Sequence, residues 1–106
     1  MEHDIEIEEC WPPDADWAAL AERATGAAAE AAPELANDRL SVSLLFTSDV
    51  EVHALNREWR KKDQPTNVLS FPMLTRDELL ALAVDGAPVM LGDIVLAFET
   101  CAREAA

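Results

Sequence analysis

The change of hydrophobic period at Ser48 constrains the fold more than any other feature of this sequence. Over residues 39–47 apolar and polar residues alternate, which is the period of a strand with one buried face. Ser48 and Glu51 then have the spacing of a helix capping box, and a helix is predicted over residues 49–61. A strand that leads directly into a helix predicts a sheet with helices packed on it.

The predicted helix over residues 49–61 has two faces. Its apolar, core-facing side contains Val52, Leu55 and Trp59. A polar stripe about a third of a turn away contains His53, Asn56, Arg57 and Arg60. Cationic residues at the end of this helix also suit the negative pole of its dipole.

The other elements follow from the same two periods. Ile5 and Ile7 alternate with acidic residues, which predicts a strand near a sheet edge. Asp14 is predicted to cap a helix that runs to about Ala32. Pro72 has no N–H to donate, so the short strand predicted over residues 66–73 belongs at the other edge.

The C-terminal third is predicted to contain the central strand. Residues 76–84 are interpreted as a loop insertion, and the apolar run over residues 90–98 predicts a strand covered on both faces. A further helix begins at about Glu99. The predicted order is β-α-β-α-β-β-α in one domain over residues 1–106, and right-handed crossovers make all strands parallel except the edge strand at 66–73. The fold class is therefore α+β, with a mixed sheet of about four strands.

The charge of the chain is distributed unevenly. The formal net charge is −13, which argues against a general nucleic-acid coat. Residues 57–62 nevertheless carry +3, because they hold half of the eight basic residues and one acidic residue; the rest has four basic and twenty acidic residues, hence −16. Any bound polyanion is therefore predicted to be confined to this cationic patch, defined as Arg57, Arg60, Lys61 and Lys62. The alternative is a solvated helix end.

Composition limits the location of the protein and the metal chemistry open to it. No apolar run approaches the roughly 18 residues that span a bilayer, and the acidic N-terminus is unlike a secretory signal. A cytoplasmic location is expected. Cys10 and Cys101 are far apart, and His3 and His53 are the only histidines. Since catalytic zinc needs about three protein ligands, spacing alone does not predict a metal site.

The segment LNREWRKKDQPTNVLSFP at residues 55–72 resembles the signature of the YbeY family of rRNA maturation factors. Gly92, Asp93 and Ile94 match a second family segment, while Trp59 stands where Tyr is usual. The resemblance covers nearly the whole chain and implies the same α+β architecture. It also implies a zinc-dependent endoribonuclease that hydrolyses single-stranded RNA phosphodiester bonds, with rRNA and the small ribosomal subunit as partners.

The resemblance also suggests roles for individual residues. Arg60 matches the family's arginine and is predicted to be catalytic, because a guanidinium binds a phosphate bidentately and stabilises developing charge. The predicted substrate-binding residues are Arg57, Lys61, Lys62, Asn67 and Ser70. For Arg60 the alternative is an ion pair with Glu58, Asp63 or an N-terminal carboxylate, and for Asn67 it is local turn chemistry. Asp93 is predicted to be structural and to accept backbone N–H groups.

The family's metal motif, H-G-x-L-H-L-x-G-Y-D-H, has no counterpart in the 106 residues. We therefore expect this chain to bind no zinc, to be inactive as a nuclease by itself, and to self-associate through sheet left uncovered around residues 94–98. Two alternatives stay open: a non-catalytic module that binds the ribosome or RNA, and a metallohydrolase of another bond, such as a peptide. A downstream His-x-x-x-His would favour an enzyme.

Overall fold

The computed structural model describes residues 1–105. Over that range the chain forms four strands, four helices and one 3₁₀ turn. In chain order they are β1 (Glu2–Ile7), α1 (Trp17–Ala31), the 3₁₀ turn (Pro33–Ala36), β2 (Leu40–Thr47), α2 (Asp49–Arg60), β3 (Val68–Pro72), α3 (Arg76–Ala81), β4 (Val89–Ala97) and α4 (Phe98–Ala105).

The strands form one mixed sheet in the order β1-β2-β4-β3. β1, β2 and β4 are parallel, and β3 pairs antiparallel with β4. This confirms the predicted α+β class, the central position of the apolar run and both edge strands. α1 packs on one face of the sheet and α2 on the other.

Each face of the sheet has its own core. On one face, α1 covers a cluster centred on Trp11, Ala21, Val42, Leu44 and Phe46. On the other face, α2 covers a cluster centred on Val52, Leu69, Val95 and Ala97. Trp11 packs edge-on against Trp17, Phe46 and Phe98 and donates its indole N–H to the Thr47 carbonyl, 2.8 Å away, so this bulky residue is fixed in position.

An apolar hollow of about 530 Å³ is lined by residues of both α1 and the sheet. Ile94 and Leu96 of β4 line it and are half-buried, and Leu20 of α1 is 43% exposed. The β2 residues on this face are nevertheless buried, so the hollow exposes β4 and α1 rather than the centre of the core.

Two predicted helix caps are wrong in detail. Asp16, not Asp14, caps α1, because its Oδ1 accepts the Ala19 N–H at 3.0 Å. At α2 the Ser48 hydroxyl accepts the Glu51 N–H at 3.4 Å, as predicted. The Glu51 carboxylate does not complete the capping box, since it accepts from the Thr47 hydroxyl at 3.2 Å.

The loop predicted over residues 76–84 is wrong in its first half, which forms α3. Thr75 and Glu78 make a complete capping box, with the hydroxyl and the carboxylate each accepting the other residue's backbone N–H at 3.1 and 3.0 Å. These hydrogen bonds hold the pKa of Glu78 below its usual value. The Thr-x-x-Glu spacing was visible in the sequence and is the signal that identifies this helix.

The predicted faces of α2 are also partly wrong. Val52 is fully buried and Leu55 half-buried, but Trp59 is 67% exposed. Asn56, which was assigned to the polar stripe, is only 2% exposed. The C-terminal half of α2 thus exposes Trp59 to solvent and buries the amide of Asn56.

Candidate nucleic-acid interface

A reversal of the chain at Lys61 builds the interface. Lys61 ends α2 in the left-handed conformation, with φ at 59°, and the Lys62 N–H bonds back to the Asn56 carbonyl at 3.2 Å. This is the geometry of a helix C-terminal motif that glycine usually fills. It turns residues 62–67 back along α2 and towards β3.

Two side chains of α2 hold the returning segment. The Asn56 amide donates to the Gln64 carbonyl at 2.9 Å, and His53 Nε2 lies 2.7 Å from Asp63 Oδ1. His53 and Asn56 are three residues apart and therefore lie on one side of the helix. As a result, Arg60 and Lys62 lie beside the first residues of β3.

Arg60 lies over the open edge of β3. The Ala97 N–H bonds to the Asn67 carbonyl at 2.8 Å and the Met73 N–H to the Leu91 carbonyl at 2.9 Å. Because ladder bonds alternate along an antiparallel pair, Ser70, between them, directs its own N–H and C=O away from β4. Arg60 Nη1 donates to that Ser70 carbonyl at 3.4 Å, a long and weak hydrogen bond.

The alternative that Arg60 forms an ion pair is not observed. Within residues 1–105, no cation of the patch lies within 4.0 Å of a carboxylate oxygen, and all four side chains are exposed. Asp63, one of the carboxylates considered as a partner for Arg60, is bonded to His53. The positive charge of the patch is therefore available to an external anion.

A small polar pocket of about 160 Å³ lies between α2, the returning segment and β3. Its polar lining consists of Asn56, Arg60, Lys62, Gln64 and Thr66. The buried Oδ1 of Asn56 has no hydrogen-bond partner among the described residues. An unpaired buried acceptor costs free energy, so the pocket has an unmet capacity to accept a hydrogen bond.

Two predicted substrate-binding residues, Asn67 and Ser70, do not direct their side chains towards Arg60. The Asn67 amide donates to Glu104 Oε1 of α4 at 2.8 Å, which directs it away from Arg60. Leu69 and Phe71 belong to the cluster under α2, so strand alternation directs the Ser70 side chain to the opposite face of the sheet. Only the backbone of Ser70 reaches Arg60. A direct contact of either side chain with substrate stays a prediction.

Sequence reasoning missed a second groove, of about 430 Å³, beside the cationic patch. Its lining includes Leu45, Leu55, Trp59, Phe71, Met73 and Asp93. Asp93 pairs with Phe71 across β4 and β3, which places both side chains on the face under α2. The backbone partners predicted for the Asp93 carboxylate are absent from the described residues; it faces the groove instead. In the sequence, the signal for this groove was an aromatic residue, Trp59, directly before the cation Arg60.

The end of α2, its reversal and β3 correspond to the segment that carries the sequence resemblance, and comparison with known proteins agrees. The family described as Endoribonuclease YbeY matches residues 4–106. This chain belongs to the YbeY family. Arg60, which the resemblance matches to the family's arginine, lies at an open strand edge, and Lys62 lines the same small pocket.

Similar proteins named Endoribonuclease YbeY are found in several bacteria. The relative from Erythrobacter litoralis is 59% identical over 105 residues, which is 99% of this chain and 64% of that protein. The relative from Novosphingobium aromaticivorans is 56% identical over 97% of this chain and 62% of its own length. This chain therefore spans somewhat less than two thirds of the length of each of these two relatives.

The zinc that the family resemblance implies does not fit the side chains of residues 1–105. No three His, Cys, Asp or Glu side chains in that range are grouped so that they could hold a metal ion. His3 of β1 hydrogen-bonds to the Thr25 hydroxyl of α1, whereas His53 of α2 bonds to Asp63. The two histidines thus lie on opposite faces of the sheet, each with a different partner.

None of the helices in the described part of the chain is long and apolar enough to cross a membrane.

Proposed function

We propose that this chain binds single-stranded RNA through its cationic patch, as part of an endoribonuclease that matures rRNA. The observation that carries the proposal is the placement of Arg60. It lies at the open edge of β3 without a carboxylate partner among residues 1–105, and its one hydrogen bond is long. A phosphate oxygen is a stronger, charged acceptor than the Ser70 carbonyl and would replace it.

The charge distribution supports this assignment and limits it. Four cations lie together, while the rest of the chain carries −16. A phosphodiester backbone is therefore attracted to the patch and repelled elsewhere, which restricts binding to a short stretch of RNA. The open edge of β3 adds backbone N–H groups that can also meet phosphate or ribose oxygens.

Arg60 has the central role in the proposal. Its planar guanidinium can grip two oxygens of one phosphate, and the remaining donors stabilise the charge that develops when the phosphodiester is attacked. Arg57, Lys61 and Lys62 hold the neighbouring phosphates. Lysine is a less directional donor than arginine, which suits it to positioning rather than to recognition of one reacting group.

On the basis of the family resemblance, we also propose that the enzyme depends on zinc, acts on small-subunit rRNA and is cytoplasmic. Since residues 1–105 do not fit zinc, no described residue is assigned a role through the metal.

Self-association is proposed from the apolar hollow under α1. Sedimentation tests it directly: a monomer at all concentrations, without binding of a hydrophobic dye, would contradict it.

Binding of a short single-stranded RNA at low salt tests the central claim. Arg60→Ala is expected to weaken binding at least about tenfold, because a charge-assisted hydrogen bond is lost. Arg60→Lys should recover only part of the affinity, since an ammonium cannot form the bidentate contact. The unfolding free energy of Arg60→Ala should change by less than about 0.5 kcal/mol, as for other exposed helix residues.

Arg23→Ala is the matched control. Arg23 is an exposed cation of α1, on the opposite face of the sheet from α2, so its loss changes the net charge equally without touching the patch. We expect it to weaken RNA binding by no more than about twofold, as a screened long-range effect. Equal losses in the two alanine variants would mean that RNA responds only to net charge and that Arg60 has no special role.

A further inference from the structure

We propose that the groove beside Trp59 is a nucleobase site, in which one base of the bound strand stacks on the Trp59 indole. This rests on the proposed function, because it requires that single-stranded RNA reaches the cationic patch. It adds a recognition site that the phosphate contacts do not supply. It also gives a role to an aromatic side chain that the core does not use.

The exposure of Trp59 is the first argument. Trp11 is 8% exposed and donates its indole N–H to Thr47, and Trp17 is half-buried and bonded to the Pro12 carbonyl. Trp59 is 67% exposed, and its indole N–H has no partner among the described residues. A large aromatic surface left in water beside cations is the usual form of a stacking platform for single-stranded nucleic acid.

The lining of the groove favours a base over an apolar side chain. Phe71 and Met73 provide apolar walls, and the Asp93 carboxylate faces the same space without a hydrogen bond from residues 1–105. A purely hydrophobic occupant would bury that carboxylate without compensation. A nucleobase presents a flat face to the indole and N–H donors at its edge, so it satisfies both surfaces.

The position of the groove matches that of the phosphate contact. Trp59 and Arg60 are consecutive on α2, and Ser70 and Phe71 are consecutive on β3. Arg60 contacts the Ser70 carbonyl at the strand edge, whereas Trp59 and Phe71 line the adjacent groove. A nucleotide whose phosphate lies on Arg60 can therefore place its base against Trp59.

A thermodynamic cycle isolates the stacking. Wild-type protein and Trp59→Ala are each titrated at low salt with a single-stranded RNA of about eight nucleotides and with an abasic ribose-phosphate strand of the same length. In the wild type we expect the intact RNA to bind about tenfold tighter than the abasic strand. In Trp59→Ala this ratio should fall close to one, with binding of the abasic strand unchanged. Trp59→Phe should keep most of the ratio.

The outcomes separate the base site from the proposed function. If Arg60→Ala weakens both strands but the wild type does not distinguish them, or Trp59→Ala keeps the wild-type ratio, the base site is wrong and phosphate binding stands. If neither strand binds the wild type, both proposals fail. If the wild type forms a dimer that disappears in Trp59→Ala, a second copy covers the groove and the base site is overturned.

Discussion

The carboxylate of Asp49, at the start of α2, accepts two hydrogen bonds from Thr100 of α4, one from its backbone N–H at 2.9 Å and one from its hydroxyl at 2.8 Å. The arrangement is reciprocal, because the Glu99 carboxylate accepts the Asp49 N–H at 3.2 Å. Each helix therefore has its N-terminal N–H groups bound by an acid from the other. This exchange fixes the helix that carries the cationic patch against the C-terminal end of β4.

The Asp49 contact predicts an acid-sensitive contribution to stability. Burial raises the pKa of Asp49, but hydrogen bonds from Thr100 and the nearby Arg103 outweigh it and hold the pKa below its usual value of 3.8. Because the folded-state pKa is the lower one, this stabilisation is fully present above pH 3.8 and is lost as the pH falls through the folded value. Asp49→Asn should therefore lose less stability than the wild type on acidification.

Thermal unfolding across acidic and neutral pH measures this effect. At neutral pH we expect Asp49→Asn to be less stable by about 1–3 kcal/mol, since charge-assisted hydrogen bonds are weakened. Asp14→Asn is the control, because Asp14 is exposed and has no side-chain partner among the described residues. If the wild type and Asp49→Asn lose stability in parallel below pH 4, roughly where carboxylates titrate, then Asp49 does not contribute as described.

Lys61→Gly is predicted to separate stability from binding. Lys61 holds φ at 59°, a conformation that costs a residue with a side chain about 1–2 kcal/mol and costs glycine almost nothing. The variant should melt at a higher temperature and bind RNA more weakly, because one cation is lost. Lys62→Gly is the control: it removes the same charge, but its φ is not positive, so it should bring no gain in stability. A lower melting temperature for Lys61→Gly would refute the argument.

Gly92→Ala should disrupt the junction between β3 and β4. A Cβ at this position would lie 2.7 Å from the Phe71 carbonyl oxygen and 3.1 Å from Pro72 Cα, both of them backbone atoms that cannot rotate away. We expect a loss of about 1–3 kcal/mol of unfolding free energy and weaker RNA binding, because β3 forms the open edge of the interface.

Gly26→Ala is the matched control for that substitution. Gly26 lies in α1, and a Cβ there would have no atom within 4 Å, so the change should raise stability by up to about 1 kcal/mol through helix propensity alone. Chemical denaturation of both variants is the measurement. If Gly92→Ala is as stable as the wild type, the strands are less closely apposed than described.

The salt dependence of RNA binding is predicted to be shallow. Four cations can neutralise at most about four phosphates, which for a single strand gives a log–log slope no steeper than roughly −3. Replacing Lys61 and Lys62 together with glutamine should reduce the slope by about half, because each neutralised phosphate contributes equally. A titration over a wide salt range tests this. A much steeper slope would show that RNA also contacts the acidic remainder.

The edge position of residues 66–73 was predicted from Pro72, and their antiparallel direction from the handedness of the crossovers. Alternation and helical period predicted the strands themselves, because they reflect which face of an element is buried. They did not predict what lies opposite each residue. Trp59 shares a helical stripe with Val52 and Leu55, yet it lies near the end of α2, where it borders an open groove. Asn56 is buried because the segment after Lys61 folds back onto it, which no periodicity encodes.

The sequence predicted only those parts of the site that lie within one short segment. The charge of residues 57–62 and the family signature identified the cationic patch, and Arg60 lies at the predicted edge strand. The contact of Asp49 with Thr100, by contrast, joins residues 51 positions apart and depends on how two helices meet. The position of the half-buried Asp93 at the groove depends on where α2 stops covering the sheet. Such features follow from tertiary packing and are not encoded in any short segment.

The long hydrogen bond from Arg60 to Ser70 also has a consequence for how these molecules behave towards one another. An unpaired strand edge invites the strand of a neighbouring molecule to add to it, and proteins commonly prevent this with a charged side chain or a proline. β3 is protected in both ways, since the Arg60 side chain of α2 contacts its middle residue and Pro72 is its last residue. The arginine proposed to hold RNA is therefore also expected to keep the protein from aggregating, so that substitutions of Arg60 affect solubility as well as activity.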